Sequence, residues 1–186
     1  QETERMIRLV NDLLQLSKMD QKETIINIER VKFGTFIHHI LDRFDMNKTE
    51  SIGIERRIPK EDFYVWLDKD KIIQVVDNIM SNAIKYSPEG GKIIVTVVKE
   101  AHRVRISISD QGLGIARDKV DKIFDRFYRV DKARARSLGG TGLGLAISKE
   151  IIHSHHGRIW ASSKEGQGTT IFFTLPLKVR KRGSGQ

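Results

Sequence analysis

The chain has 186 residues, 39% of them hydrophobic and 31% charged, with no cysteine. That balance fits one globular domain plus a short appendage and excludes a disordered chain, a disulfide framework and thiolate metal sites; it suits a reducing compartment such as the cytosol. No apolar run approaches the roughly 20 residues that span a bilayer, no basic-then-apolar leader opens the chain, and a net charge of +9 favours anionic partners: nucleotide, nucleic acid, an acidic protein or a lipid surface.

Residues 1–20 carry Met6, Leu9, Val10, Leu13, Leu14 and Leu16 at helical spacing, so a helix with an apolar stripe is predicted. Such a stripe needs a partner. It is expected to join a dimeric helical bundle completed by a preceding portion, or to trail loosely. Because Gln1 already falls inside the helical pattern, the chain is expected to be a fragment of a longer protein. From residue 24 the pattern predicts a short strand (Ile25, Ile26, Ile28), a helix over about 32–46, and strands near 51–57 and 63–67. A helix over 69–86 follows, then a turn at Pro88, Glu89, Gly90 and Gly91 and two strands. In the second of these, Val104, Ile106 and Ile108 alternate with Arg105, Ser107 and Ser109, which buries one sheet face and leaves the other polar. A helix over 117–124, a basic loop, a helix over 143–156 and strands over 158–163 and 169–176 complete a two-layer α/β sandwich, its mixed sheet covered by helices on one face. The expected units are a helical segment over 1–22, the α/β domain over 23–177 and a basic tail over 178–186 that frays.

Within 69–86, Ile72, Ile73, Val76, Ile79, Met80 and Ala83 form the core stripe. At about 100° per residue, Asn78, Asn82 and Lys85 fall within about 60° of one another on the other side. Amide oxygens ligate hard divalent cations and an ammonium meets phosphate, so this row reads either as one wall of a metal–nucleotide site or as a solvated helix face.

Asp110, Gln111, Gly112, Leu113, Gly114 and Ile115 follow a buried strand. The glycines allow positive φ or close passage past something flat; the plainer alternative is a turn capped by Asp110. Gly139, Gly140, Thr141, Gly142, Leu143, Gly144 and Leu145 open directly into an apolar helix (Ala146, Ile147, Ile151, Ile152), where free N–H groups and the positive end of a helix coincide and suit phosphate. This is neither a dinucleotide fingerprint nor a P-loop, and no Ser/Thr/Tyr-kinase triplet occurs. Arg126, Arg129, Lys132, Arg134 and Arg136 precede the glycines as a cationic lid or a solvated loop. Gly166 to Thr170 reads as a hairpin turn, Phe124 and Phe127 as core residues pinning the base of the lid, and His153, His155 and His156 before Gly157 as a helix end capped by glycine, with no metal partner.

In this order the motifs resemble the catalytic ATP-binding domain of bacterial sensor histidine kinases, of the same superfamily as gyrase B and the heat-shock chaperone ATPases. NIMSNAIKY resembles that family's N box, DQGLGI its G1 box, FDRF its F box, GTGLGL its G2 box and GQGTT its last glycine turn; the first helix resembles the second helix of the dimerisation domain. The resemblance implies a Bergerat-type ATP-binding fold with ATP or ADP and Mg²⁺ as ligands. Asn82 would ligate the metal, with Asn78 near it. Lys85 would touch phosphate, Tyr86 would lie along adenine or ribose, and Asp110 would accept the adenine amino group. Gly112, Gly114 and Ile115 would shape the base pocket. Arg129 would approach the γ-phosphate, Gly140, Thr141, Gly142, Leu143, Gly144 and Leu145 would wrap the phosphates, and Thr170 or its neighbours would close the far side. Asn78, Lys85 and Arg129 would be the catalytic residues, with Lys85 and Arg129 offsetting charge.

The family's phosphoacceptor histidine sits in a box followed by an acidic residue and a Leu-Arg-Thr-Pro run, and none of His38, His39, His102, His153, His155 or His156 has that setting. The expected activity is therefore transfer of the γ-phosphoryl to a histidine on a dimerisation helix absent from this chain, then to a response-regulator receiver domain. The full-length kinase would be a homodimer, and this piece the cytoplasmic domain of a membrane sensor. The alternatives are a related ATPase or serine kinase, or a non-catalytic basic binding module. A gyrase-type ATPase keeps a water-activating glutamate four residues before its metal asparagine, where Asn78 stands here, so hydrolysis is expected to be feeble. Nucleic acid is not expected, for want of a stacking ladder or a basic recognition helix.

Overall fold

The computed structural model describes residues 2–21, 26–47, 51–130 and 140–178. Chain order gives α1 (Glu2–Asp20), β1 (Glu29–Lys32), α2 (Phe33–Asn47), β2 (Ile52–Arg57), β3 (Tyr64–Leu67), α3 (Lys69–Lys85), β4 (Gly91–Lys99) and β5 (Arg103–Ser109). After a short 3-10 helix (Asp121–Phe124) come α4 (Gly144–Ser154), β6 (Ile159–Lys164) and β7 (Gly168–Pro176). Five strands form one mixed sheet in the order β2-β4-β5-β7-β6, parallel at β2–β4 and antiparallel elsewhere.

Alternation decides which face is covered. Ile93, Val95, Val97, Val104, Ile106, Ile108, Ile171, Phe173 and Leu175 are buried in one core with the apolar sides of α2, α3 and α4, whereas Arg105 and Ser107 sit on the opposite face. The two-layer sandwich with helices on one face is thus the observed architecture.

Helix α3 starts at Asp68, whose side chain accepts the Lys71 N–H, and its ends carry Asp70 and Lys85 in the order that suits the helix dipole. Its buried stripe is Ile72, Val75, Val76, Ile79, Met80 and Ala83. Val75 belongs to that stripe, while Ile73 is only partly covered.

Several boundaries differ from the pattern in the sequence. The strand expected around Ile26 and Ile28 begins only at Glu29 and pairs with β3 in a separate two-stranded ribbon. The reason is local: the Asn27 N–H is taken by the Asp68 carboxylate at 2.9 Å, so this stretch lies on a helix cap instead of a ladder. Ile25 and the tail beyond Lys178 lie outside the described residues. The helix expected over 117–124 contracts to the 3-10 turn, because Asp125 is extended and so short a segment cannot repay helix nucleation.

The histidines at the end of α4 behave unlike surface imidazoles at a helix terminus. His155 is 3% exposed; its Nε2 accepts the Asp68 N–H at 3.0 Å and its Nδ1–H donates to the Ile151 carbonyl at 2.8 Å. It therefore joins the amino end of α3 to the carboxyl end of α4 as a neutral ring. Burial pushes its pKa down, against the Ile151 bond and the Asp68 carboxylate and with His156. The expected glycine cap is also displaced by one residue. His156 takes the left-handed conformation (φ 58°), and Gly157 is required because a Cβ there would lie 2.0 Å from the Thr174 carbonyl oxygen.

With its folded pKa below the ordinary 6.5, His155 lets the unfolded chain bind the proton first, so its contribution is intact above about pH 6.5 and declines below it. Denaturation at about pH 7 and about pH 5.5 should show a steeper acid loss in the parent than in His155→Gln, by up to ~1.4 kcal/mol per pH unit.

Candidate functional site

Three backbone turns meet at the carboxyl end of β5. Asp110 leaves the strand with its N–H on the Thr169 carbonyl at 2.9 Å, and its Oδ1 accepts the N–H groups of Gly112 at 2.9 Å and Thr169 at 3.1 Å. Among the described residues no hydrogen bond engages its Oδ2. Burial pushes this carboxyl up from its ordinary value, while the backbone donors pull it down. On one side the turn touches the end of α3: Leu113 N–H donates to the Tyr86 carbonyl at 3.0 Å, and a Cβ on Gly112 would lie 2.1 Å from that oxygen. On the other it touches the β6–β7 hairpin, where Gly166 N–H meets the Leu113 carbonyl at 2.7 Å and Ile115 N–H meets Ser163 Oγ at 2.8 Å. Gly114 (φ 66°) passes so near Lys164 that a Cβ would stand 2.0 Å from its carbonyl oxygen. These glycines are explained first by the protein's own backbone.

The polar row of α3 faces the start of α4. Asn78 Nδ2 donates to the Gly144 carbonyl at 2.9 Å and to Ser148 Oγ at 3.2 Å, and Ser148 donates to the same carbonyl at 2.9 Å. One turn on, Asn82 is half-buried, and no hydrogen bond reaches its side chain among the described residues. Lys85 Nζ lies 2.7 Å from where a Cβ on Gly140 would stand and 5.3 Å from the centre of the Tyr86 ring. Burial lowers the Lys85 pKa and the Arg129 charge lowers it further; for Tyr86 burial raises the pKa and Arg129 opposes. Three cationic or polar side chains thus gather where α4 begins at Leu143 without a side-chain cap, leaving its first N–H groups for an anion. Asp77 turns the other way and pairs with Arg43 of α2 at 2.7 Å.

The two ends of the segment 131–139 are tied at the backbone. Phe127 N–H donates to the Gly142 carbonyl at 2.9 Å, and both residues take positive φ, 61° and 76°. Phe124 is buried as expected, but Phe127 is 55% exposed, because the left-handed turn reverses the chain and carries its ring away from the core. Lys132, Arg134, Arg136 and Gly139 lie outside the described residues. Thr170 does not face this site: alternation puts it beside Ser109 on the uncovered face of the sheet, where its hydroxyl donates to Ser109 Oγ at 2.8 Å. Thr169 stands there instead, with its N–H on Asp110 and its hydroxyl 2.9 Å from Ser163 Oγ. Among the described residues no acidic or histidine cluster could hold a metal unaided.

A profile for the histidine kinase-, DNA gyrase B- and HSP90-like ATPases matches residues 67–179. The chain belongs to this ATPase family. It is 58% identical over 179 residues to Sensor histidine kinase WalK of Bacillus subtilis, across 95% of this chain and 29% of that protein. With Sensor protein kinase WalK of Staphylococcus aureus it shares 56% over 186 residues, across 98% of this chain and 44% of that protein. The chain therefore spans less than half the length of these curated relatives. The solved structure of histidine kinase ThkA in complex with response regulator protein TrrA superposes with a TM-score of 0.77 at 27% identity, over 95% of this chain and 48% of that one.

The turn at Asp110 and the start of α4 both meet α3, the first at the Tyr86 carbonyl and the second at the Asn78 amide. Asp68, Ser148 and Ser163 take part in this frame without any signal in the sequence, whereas Thr169 falls among the neighbours of Thr170 that the resemblance implied. Ser and Thr look alike in any polar turn, so only the pairing register could select them.

Two glycine substitutions separate the frame from the loop. Gly112→Ala forces a Cβ into the Tyr86 carbonyl and should destabilise by more than ~2 kcal/mol in denaturant titration. Gly166→Ala meets nothing within 4 Å and should cost only the ~1–2 kcal/mol of a left-handed residue.

Proposed function

We propose that this chain is the ATP-binding catalytic part of a sensor histidine kinase, which transfers the γ-phosphoryl of Mg²⁺-ATP to a histidine on a dimerisation helix outside these 186 residues. From there the phosphoryl passes to an aspartate of a response regulator. The observation that carries this reading is the half-buried Asp110 carboxylate, with Oδ1 tied to Gly112 and Thr169 and no bond at Oδ2, set across α3 from the uncapped start of α4. Asp110 Oδ2 accepts the adenine amino group, Tyr86 lies along the base or ribose, and Gly112, Gly114 and Ile115 bound the pocket. Thr169 takes the place expected of Thr170. The N–H groups from Gly140 to Leu145, with the Thr141 hydroxyl, hold the phosphates.

Asn82 fits a magnesium ligand, since its half-buried amide is unbonded among the described residues and Mg²⁺ commonly takes one or two protein oxygens and keeps its waters. When bound there, the metal supplies charge neutralisation on the phosphate oxygens. The chain's own residues do the rest. Lys85 and Arg129 offset charge as the β–γ bridging P–O bond breaks and its electron pair leaves with ADP. The acceptor imidazole nitrogen forms the new N–P bond with its own lone pair. Asn78 is committed to Gly144 and Ser148 and holds α4 against α3, and Asp77 is held by Arg43, so neither of these two positions supplies a base for water and hydrolysis is feeble. The exposed stripe Met6, Ile7, Val10, Leu13 and Leu14 supports a homodimeric helical bundle in the whole protein, on the cytoplasmic side where ATP resides.

Calorimetric titration with ATP and ADP, with and without Mg²⁺, tests the site. Asp110→Ala should weaken both nucleotides about tenfold or more whatever the metal, whereas Asn82→Ala should remove the gain from Mg²⁺. Unchanged affinity in both variants would sink the assignment. Labelled phosphate should pass from ATP to a separately supplied histidine-bearing helical hairpin, and self-labelling of this chain would refute an acceptor outside it.

A further inference from the structure

Helix α1 carries two stripes. Met6, Ile7, Val10, Leu13 and Leu14 are exposed, while Leu9, Asp12, Gln15, Leu16, Met19 and Asp20 lie roughly 150° around the helix and meet the α/β domain. Leu16 is the anchor, 2% exposed within the main core. Polar contacts surround it. The Gln15 and Gln74 amides pair reciprocally at 2.8 Å, and Asp20 takes two bonds from Arg126 at 2.6 and 2.8 Å. Asp12 Oδ2 accepts the Thr141 hydroxyl at 3.0 Å. Helix α1 is thus fastened at Arg126, after the 3-10 helix, and at Thr141, before α4.

We infer that Asp12 is a further specificity-determining residue of the nucleotide site: it holds the Thr141 hydroxyl while no triphosphate is bound and opposes the γ-phosphate, so that ATP binds at the expense of α1 docking. The inference rests on the phosphate cradle proposed above. Thr141 lies between Gly140, which abuts Lys85 Nζ, and Leu143, which opens α4. A hydroxyl has one proton to donate, so Thr141 cannot give it to Asp12 and to a phosphate oxygen at once. The second conflict is electrostatic. Asp12 is half-buried, and a phosphate held at Thr141 would stand close to its carboxylate, where like charges repel more strongly than in bulk solvent. Burial raises the Asp12 pKa, against the Thr141 bond and the charge of Arg8 one turn away. ADP, which lacks the γ-phosphate, disturbs it less. The helix bearing the dimer stripe is then released by the nucleotide that carries the transferable group.

The test uses the whole chain, with ATP and ADP as probes and two variants. Asp12→Asn should tighten ATP about tenfold and ADP no more than about threefold, the difference reflecting one added like charge near Thr141. Asp20→Asn loosens α1 but keeps the Asp12 carboxylate, and should raise the ATP-to-ADP preference less. Hydrogen exchange supplies a readout independent of affinity: ATP should speed exchange of α1 amides in the parent more than ADP does. Equal ATP and ADP changes in Asp12→Asn, or α1 exchange untouched by ATP, would overturn the inference. Weaker ATP binding in Asp12→Asn would overturn it too, and would make the carboxylate a ligand of the nucleotide's metal. If no nucleotide binds parent or variant, the site proposed above fails instead.

Discussion

Helix α3 buries Ile72, Val75, Val76, Ile79, Met80 and Ala83 between the sheet and α4, and that burial sets the direction of every polar side chain it carries. Each large apolar residue so buried is worth on the order of 1.5–3 kcal/mol, so the helix cannot turn about its axis without losing several at once. A rotation of one residue, about 100°, would push Asn82 toward the core and Val76 toward solvent. Asn82, Lys85 and Tyr86 are therefore aimed by residues that never touch a ligand. Asp68 and His155 extend the same constraint to the helix start, tying α3 to the far end of α4.

The floor of the site rests on backbone proximity. Gly112 against Tyr86, Gly114 against Lys164 and Gly168 against Asp110 leave no room for a Cβ, each carbonyl oxygen lying about one bond length too near. Three turns from distant parts of the chain are thereby locked at the carboxyl end of β5, with Asp110 among them. At the start of α4 the chain is tied differently, by one backbone bond between Phe127 and Gly142, both of which take positive φ.

Helix α1 has two faces of different character. One stripe is open to a partner helix, and the other presses Leu16 into the core and Asp12 toward the Thr141 hydroxyl. Two faces of one rigid rod cannot move independently. A change at the Thr141 hydroxyl is therefore felt by the same helix that carries the exposed apolar stripe.

Much of this was legible in the residues alone. Period-3.6 and period-2 patterns placed α2, α3, α4 and most strands of the sheet, since apolar periodicity reports which side meets the core regardless of what lies across from it. The row Asn78, Asn82 and Lys85 was likewise visible, because helix geometry is regular. Spacing could not say what each member touches: Asn78 belongs to Gly144 and Ser148, Asp77 to Arg43, and Thr169 displaces Thr170 through a one-residue register that only strand pairing sets. The single apolar stripe read along α1 proved to be two, because helical spacing shows that residues are apolar but not which neighbour covers them. By itself, then, the sequence determined the elements and the chemistry available on each face. Tertiary structure alone decided which faces meet, because side chains such as Asp12, Thr141 and His155 are given partners by contacts between residues far apart in the chain.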